Sequence, residues 1–368
     1  MRKVFTVFAI FVSALSCWLS SVAYAEAPAC GGTLTPGCLY FPATEFPFLP
    51  TTSQTTYVDK ANQKRTIEFA VRTPIGAPAP MPVVIWSHGG AGGKDEGENS
   101  LHAWSDVTAA AGYLTISIAH TPRLDRTALC QAIGIPDAAT CDLFKHLNWD
   151  RPFDISAVIT ELERMNRLGD LRGRIDLNRI AVAGHSAGAG ATLTVAGALR
   201  NFTGAPRSLA DPRPIAFLAF SPQQPGTEGF FDTNFRKPLH SWAPIRKPVL
   251  IGTGDGDNTC NPGEEPGSCP GDTPYGRRLN FDRMSEGNKY RIYVHDADAF
   301  HTLFAMNTNT CAKLGVDQAK CDEIARWLQS AALAFLDGHV RQDAFATQWL
   351  KSNNVGIASR GVAEWSLK

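Results

Sequence analysis

Short apolar runs alternate along this chain with longer segments whose apolar positions recur at helical spacing. Residues 83–86 (Val-Val-Ile-Trp) form a continuous apolar run, the pattern of a parallel strand buried on both faces. Residues 113–119, 179–183, 215–220, 248–252 and 290–294 carry comparable strand patterns. Residues 65–72 instead alternate polar and apolar side chains, which predicts an edge strand. Between these runs, residues 104–112 read as a helix closed by Gly112. Ile155, Val158, Ile159, Leu162 and Met165 mark one helical face. Residues 328–336 predict a closing helix. Strands alternating with helices predict an α/β fold, a mostly parallel central sheet with helices on both faces.

The segments outside this pattern divide the chain. Residues 26–58, rich in Pro and Thr, read as an extended N-terminal arm, residues 59–345 as the main domain, and residues 346–368 as a C-terminal tail. Residues 121–150 and 256–285 read as loop insertions. At the start, Arg2 and Lys3 precede an apolar stretch from Val4 to Leu19, and Ala23-Tyr24-Ala25 supplies a small-x-small cleavage signal. Residues 1–25 therefore predict a signal peptide and a secreted or periplasmic protein. Lipoprotein processing at Cys17 fits less well, since apolar residues continue past it and the usual upstream leucine is missing.

Charge narrows the partners. Lys plus Arg equals Asp plus Glu at 35 each, and losing Arg2 and Lys3 with the leader leaves a formal charge of −2. That balance gives no reason to expect nucleic acid or an anionic membrane as partner. No later segment is apolar enough to predict a membrane span. Beyond Cys17, the cysteines fall into close pairs, and oxidation would favour four local bridges: Cys30–Cys38, Cys130–Cys141, Cys260–Cys269 and Cys311–Cys321. No pair has the close spacing of zinc knuckles.

The candidate chemistry starts at Gly184-His185-Ser186-Ala187-Gly188. A hydrophobic strand runs straight into it and a small-residue helix pattern follows, the context of a nucleophile elbow. A serine hydroxyl needs a base to take its proton and an acid to orient that base. The strand at 248–252 leads into Gly254-Asp255-Gly256-Asp257, with Asp255 the first candidate acid and Asp257 the second. A calcium loop is the rival reading of these aspartates, but the downstream bidentate glutamate is missing. Of the histidines after the strand at 290–294, His301 on its loop is preferred to His295 as base, and His185 reads as elbow packing. Ser87-His88-Gly89-Gly90 follows another strand end, so the backbone amides of Gly90, or next Gly89, together with Ala187, are candidate oxyanion donors. No metal or cofactor is expected. Phe230, Phe231, Phe235 and Trp242 read as packing residues or as the lining of an acyl pocket.

Residues 86–90 (Trp-Ser-His-Gly-Gly), 184–188, 252–255 (Gly-Thr-Gly-Asp) and Phe300-His301 together resemble the α/β-hydrolase superfamily. Within it they are similar to dienelactone-hydrolase-like and type II platelet-activating-factor acetylhydrolase esterases, and residues 172–182 match that branch too. The likeness spans roughly residues 60–340. It implies a metal-free carboxylic ester hydrolase acting on a small-molecule or lipid-like ester. Ser186 would be nucleophile, His301 base and Asp255 orienting acid. A polyester or amide substrate, and a silent ligand-binding member of the fold, are the alternatives. Ala187 and Gly90 stand where several relatives carry bulkier residues, which implies a roomier mouth.

Overall fold

The computed structural model describes residues 27–90, 101–123, 125–135, 143–203, 205–225, 241–259 and 272–368. The strands are β1 (Phe48–Val58), β2 (Lys64–Pro74), β3 (Met81–Ser87), β4 (Leu114–Ala119), β5 (Ile175–His185), β6 (Arg200–Asn201), β7 (Pro206–Arg207), β8 (Ala216–Phe220), β9 (Val249–Gly254), β10 (Lys289–Val294) and β11 (Ala363–Leu367). The α-helices are α1 (His102–Ala110), α2 (Thr127–Ala132), α3 (Leu143–Arg167), α4 (Ala187–Val195), α5 (Pro274–Asp282), α6 (Gln318–Leu336), α7 (Ala344–Leu350) and α8 (Asn354–Ala358).

Nine strands form one sheet in the order β1–β2–β4–β3–β5–β8–β9–β10–β11. From β4 to β10 every neighbour is parallel, while β1, β2 and β11 join antiparallel. Alternation along the strands sends residues to opposite faces. Val84 and Trp86 of β3 join a core with Phe220, Ile292 and the α6 residues Leu328, Ala332 and Phe335. Val83 and Ile85 join the other core with Ile155, Val158 and Leu162 of α3 and Leu193 of α4. Each such large side chain contributes about 1.5–3 kcal/mol on full burial. The parallel sheet between helices is thus the expected α/β arrangement.

Three expectations change. Residues 64–74 alternate in exposure, yet β2 lies inside the sheet, because β1 pairs with it along eleven residue positions. Alternation reports which face is wet, not which hydrogen-bonding edge is free. The supposed arm therefore ends in a strand, whose Thr-rich sequence is β-compatible without an apolar run. The supposed tail is also built in: Trp349 donates its indole N–H to the Cys38 carbonyl at 3.0 Å, and β11 pairs with β10.

Among the described residues, Cys30–Cys38 and Cys311–Cys321 form the expected disulfides. Cys130 is also disulfide-bonded, while Cys141, Cys260 and Cys269 lie outside the described residues, as do the expected signal peptide, Phe230, Phe231 and Phe235. Trp242 is fully buried with Ile245 and Val249, a packing residue. No helix among the described residues is long and apolar enough to cross a membrane.

Candidate active site

The candidate residues gather where β3, β5, β9 and β10 end, at the carboxyl edge of the parallel strands, where open α/β sheets present their ligand crevices. β5 delivers Ser186, whose backbone is left-handed at φ 52° and ψ −122°. Such strain persists only where surroundings enforce it. Here the Ser186 N–H donates to the Phe220 carbonyl at 3.0 Å, and the Ser186 carbonyl accepts from Gly190 N–H at 3.1 Å. Glycine is required at both shoulders. A Cβ on Gly188 would overlap the Ser87 carbonyl, and one on Gly184 would overlap the Gly188 backbone. The start of α4, with Ala187 as its first residue, therefore packs directly against the end of β3.

His301 opens a short 3-10 turn, His301–Ala305, after β10. Its Nδ1 lies 2.8 Å from Asp257 Oδ1. The sequence-preferred Asp255 is elsewhere: it accepts from the Tyr293 hydroxyl at 2.5 Å and lies 3.6 Å from His295. The reason is strand length. β9 continues to Gly254, in register with Val294, instead of ending at Gly252. Asp255 thus sits on the strand end beside Tyr293, and the turn through Gly256 brings Asp257 to His301. A Cβ at Gly256 would overlap the Ala297 carbonyl, so the aspartate turn lies flush against the histidine loop.

The Asp257 carboxylate has no solvent exposure. Burial alone would raise its pKa, but the Arg277 cation, then His301 and the Thr253 hydroxyl, hold it down at about 2. Arg277 Nε is 3.2 Å from Asp257 Oδ1, and Thr253 donates at 2.7 Å to the other oxygen. The Asp257 carboxylate is therefore ionised and fixed. Arg277 also donates to the carbonyls of Ser221 and Pro222, tying β8 to the same loop.

His185 joins the parts. Its Nε2–H donates to the His301 carbonyl at 3.0 Å, and the two rings lie 4.6 Å apart. Burial, then the neighbouring His301, pushes His185 down to about 3, so it is a neutral strut beside Ser186. Gly89 packs on the same group: a Cβ there would stand 3.0 Å from Ser186 Cβ and 2.9 Å from His185 Nδ1. The elbow, the histidine loop and the glycine turn after β3 thus meet around His185. Of the expected oxyanion residues, Ala187 directly follows Ser186, and Gly90 stands one residue beyond this contact with a positive φ of 67°.

Sequence reading missed the charged groups behind these loops. Arg277 and Thr253 secure Asp257, and Arg151, Asp154 and His120 stand behind Ser87 and His88. The usable signal was Asp150, Arg151 and Asp154 together on the flank of the apolar face of α3. Among the described residues, no group of three His, Cys, Asp or Glu side chains is placed to hold a metal ion. A groove of about 570 Å³ lined by Ala27, Leu39, Trp327 and Val362 contains none of Ser186, Asp257 and His301. No protein-family model matches this chain. No curated protein matches it either.

Proposed function

We propose that this chain is a carboxylic ester hydrolase of the α/β-hydrolase fold, exported with residues 1–25 removed, that cleaves a small-molecule or lipid-like ester through an acyl-enzyme. The observation that carries this reading is the buried, ionised Asp257 accepting from His301, whose ring lies 4.6 Å from that of His185, the residue that precedes a Ser186 held in a left-handed elbow. With Nδ1–H engaged by Asp257, the imidazole presents Nε2 as the acceptor for a hydroxyl proton. No metal or cofactor enters the scheme.

Ser186 Oγ attacks the ester carbonyl while His301 Nε2 takes its proton. The tetrahedral oxyanion rests on the Ala187 amide and on an amide of the Gly89-Gly90 turn. Collapse expels the alcohol, which leaves with the proton carried by His301. Water then attacks the acyl-enzyme with His301 again as base, releasing the carboxylic acid and restoring Ser186. Asp257 keeps the imidazole in one tautomer and stabilises its transient charge.

Hydrolysis of short-, medium- and long-chain p-nitrophenyl esters by the oxidised protein and by Ser186→Ala tests this. Turnover by the parent and a loss of several orders of magnitude in the variant are expected. An inactive parent, or a variant that keeps full activity, overturns the proposal. Activity on amides or on polyester films would then identify another acyl substrate.

A further inference from the structure

Two adjacent glycines in a turn are a poor place to hold hydrogen-bond donors, because glycine has the widest backbone freedom of any residue. The Gly89-Gly90 turn must therefore be fixed from outside. α3 approaches it with Asp150, Arg151 and Asp154, all buried. Asp150 accepts from Arg123 at 2.6 and 2.8 Å. Asp154 accepts from Arg65 Nε and Nη2 at 2.7 and 2.8 Å and lies 2.9 Å from His120 Nδ1. Arg151, between these anchors, points its two terminal nitrogens at the carbonyl oxygens of His88 and Gly90.

A trans peptide is planar, so a held carbonyl fixes the direction of the N–H across the same bond. Arg151 thereby sets the plane that carries Gly89 N–H. The next plane is set from the other side. His88 Nδ1 lies 2.7 Å from the Gly89 carbonyl, and its Nε2 accepts from the His120 backbone N–H at 3.3 Å. That pattern requires a neutral His88, and burial followed by the Arg151 cation keeps it so. Gly90 N–H is thus oriented as well. Behind them, Ser87 Oγ, His120 and Asp154 are linked at 2.8 and 2.9 Å, a serine–histidine–aspartate order closed to solvent. It braces the end of β3.

We propose that Arg151 is a positioning residue of the reaction: its fork across the His88 and Gly90 carbonyls sets the glycine turn in donor geometry against Ser186 before substrate arrives. This rests on the ester-hydrolase reading of Ser186. A guanidinium suits the task because its rigid fork bridges two acceptors at once, which a lysine ammonium cannot do in the same plane.

Arg151→Lys and Arg151→Met are compared with Arg164→Met, an exposed arginine of the same helix. Two quantities are read: kcat and KM on a p-nitrophenyl ester, and amide hydrogen exchange at Gly89 and Gly90. For Arg151→Met we expect kcat to fall about 10²- to 10³-fold, the usual effect of losing an oxyanion donor, with KM within about threefold. Exchange at Gly89 and Gly90 should accelerate, Arg151→Lys should recover part of kcat, and Arg164→Met should match the parent. If Arg151→Met fails to fold, Arg151→Lys carries the same test with a smaller loss. Unchanged exchange, unchanged kcat, or a loss confined to KM overturns the proposal. A parent that hydrolyses no ester overturns the functional reading instead, and the exchange measurement then decides alone whether Arg151 holds the turn.

Discussion

Asp257 and His301 share a 2.8 Å hydrogen bond although Asp255 lies closer to the strand end that sequence reading took as the departure point. The two aspartates are therefore separable by mutation. Asp257→Asn keeps the shape but offers the imidazole the wrong partner, and kcat should fall about 10⁴-fold as for the orienting acid of a serine triad. Asp255→Asn takes the charge away from the Tyr293 contact while keeping an acceptor oxygen, and it should leave kcat within a few-fold. Ester turnover of the two variants, side by side, decides it. A larger loss in Asp255→Asn would restore the original assignment.

Gly89 and Gly188 are both tight, but against different neighbours. A Cβ at Gly188 meets backbone of β3 that cannot yield, so Gly188→Ala should destabilise the fold by about 4 kcal/mol or more, in the range of severe overpacking and strain. A Cβ at Gly89 meets Ser186 Cβ at 3.0 Å and His185 Nδ1 at 2.9 Å, a milder overlap than the 1.9 Å to the Ser87 carbonyl at Gly188. Gly89→Ala should fold and lose activity. Thermal unfolding separates them: equal Tm losses for the two variants would contradict the argument.

Buried neutral histidines make the fold sensitive to acid. Burial pushes His120 down to about 4 and His185 down to about 3. Unfolded histidine titrates near 6.5, so on acidification the unfolded chain binds these protons first. Stability is complete above that value and declines as pH falls toward the folded values. Each group adds up to about 1.4 kcal/mol per pH unit to the slope. Urea unfolding at neutral pH and at successively lower values should show the decline, and His120→Gln should flatten it. A stability that stays flat across this window would refute it.

Much of the scaffold was legible because one-dimensional signals map directly onto it. Residues 83–86 are apolar without alternation because both faces of β3 are buried, and Gly184 and Gly188 mark an elbow that no larger residue can form. What failed was the prediction of element ends and of hydrogen-bonding edges. β9 extends to Gly254, and that difference puts Asp257 rather than Asp255 against His301. β1 and β11 have no apolar run, since each is an outer strand of the sheet and its exposed positions are polar or mixed. Arg151, Arg277 and His120 were hidden for another reason. Their burial depends on partners far away in sequence, such as His88 for Arg151 and Asp257 for Arg277, and no local spacing encodes those pairings.

The Cys311–Cys321 bridge ties the segment just after the turn that presents His301 to Cys321 of α6, with both cysteines fully buried. Closing a loop of this size is worth about 3 kcal/mol in the chain-entropy account. Cys311→Ser with Cys321→Ser should lower Tm and reduce kcat more than KM, because the His301 turn loses its anchor. Cys30→Ser with Cys38→Ser removes a comparable loop at the opposite end of the chain and should lower Tm without that loss of kcat. Equal effects of the two double variants on turnover would show that the bridge near His301 has no special role.

Arg277 is the cation that keeps Asp257 ionised against its own burial. Without it, desolvation acts unopposed by that charge, and the Asp257 carboxyl should protonate at a higher pH. A protonated Asp257 no longer stabilises the imidazolium, so the acid limb of the kcat/KM profile should move upward in pH in Arg277→Met. The sign is fixed: activity is retained above the new Asp257 value and lost as pH falls through it. Removing one partner of a buried pair also destabilises by about 3–5 kcal/mol, so circular dichroism must first show a folded variant. Arg277→Lys preserves the charge but not the bonds to the Ser221 and Pro222 carbonyls. It should keep the parent's acid limb while lowering Tm. An acid limb that stays in place in folded Arg277→Met would mean that Thr253 and His301 alone hold Asp257 ionised.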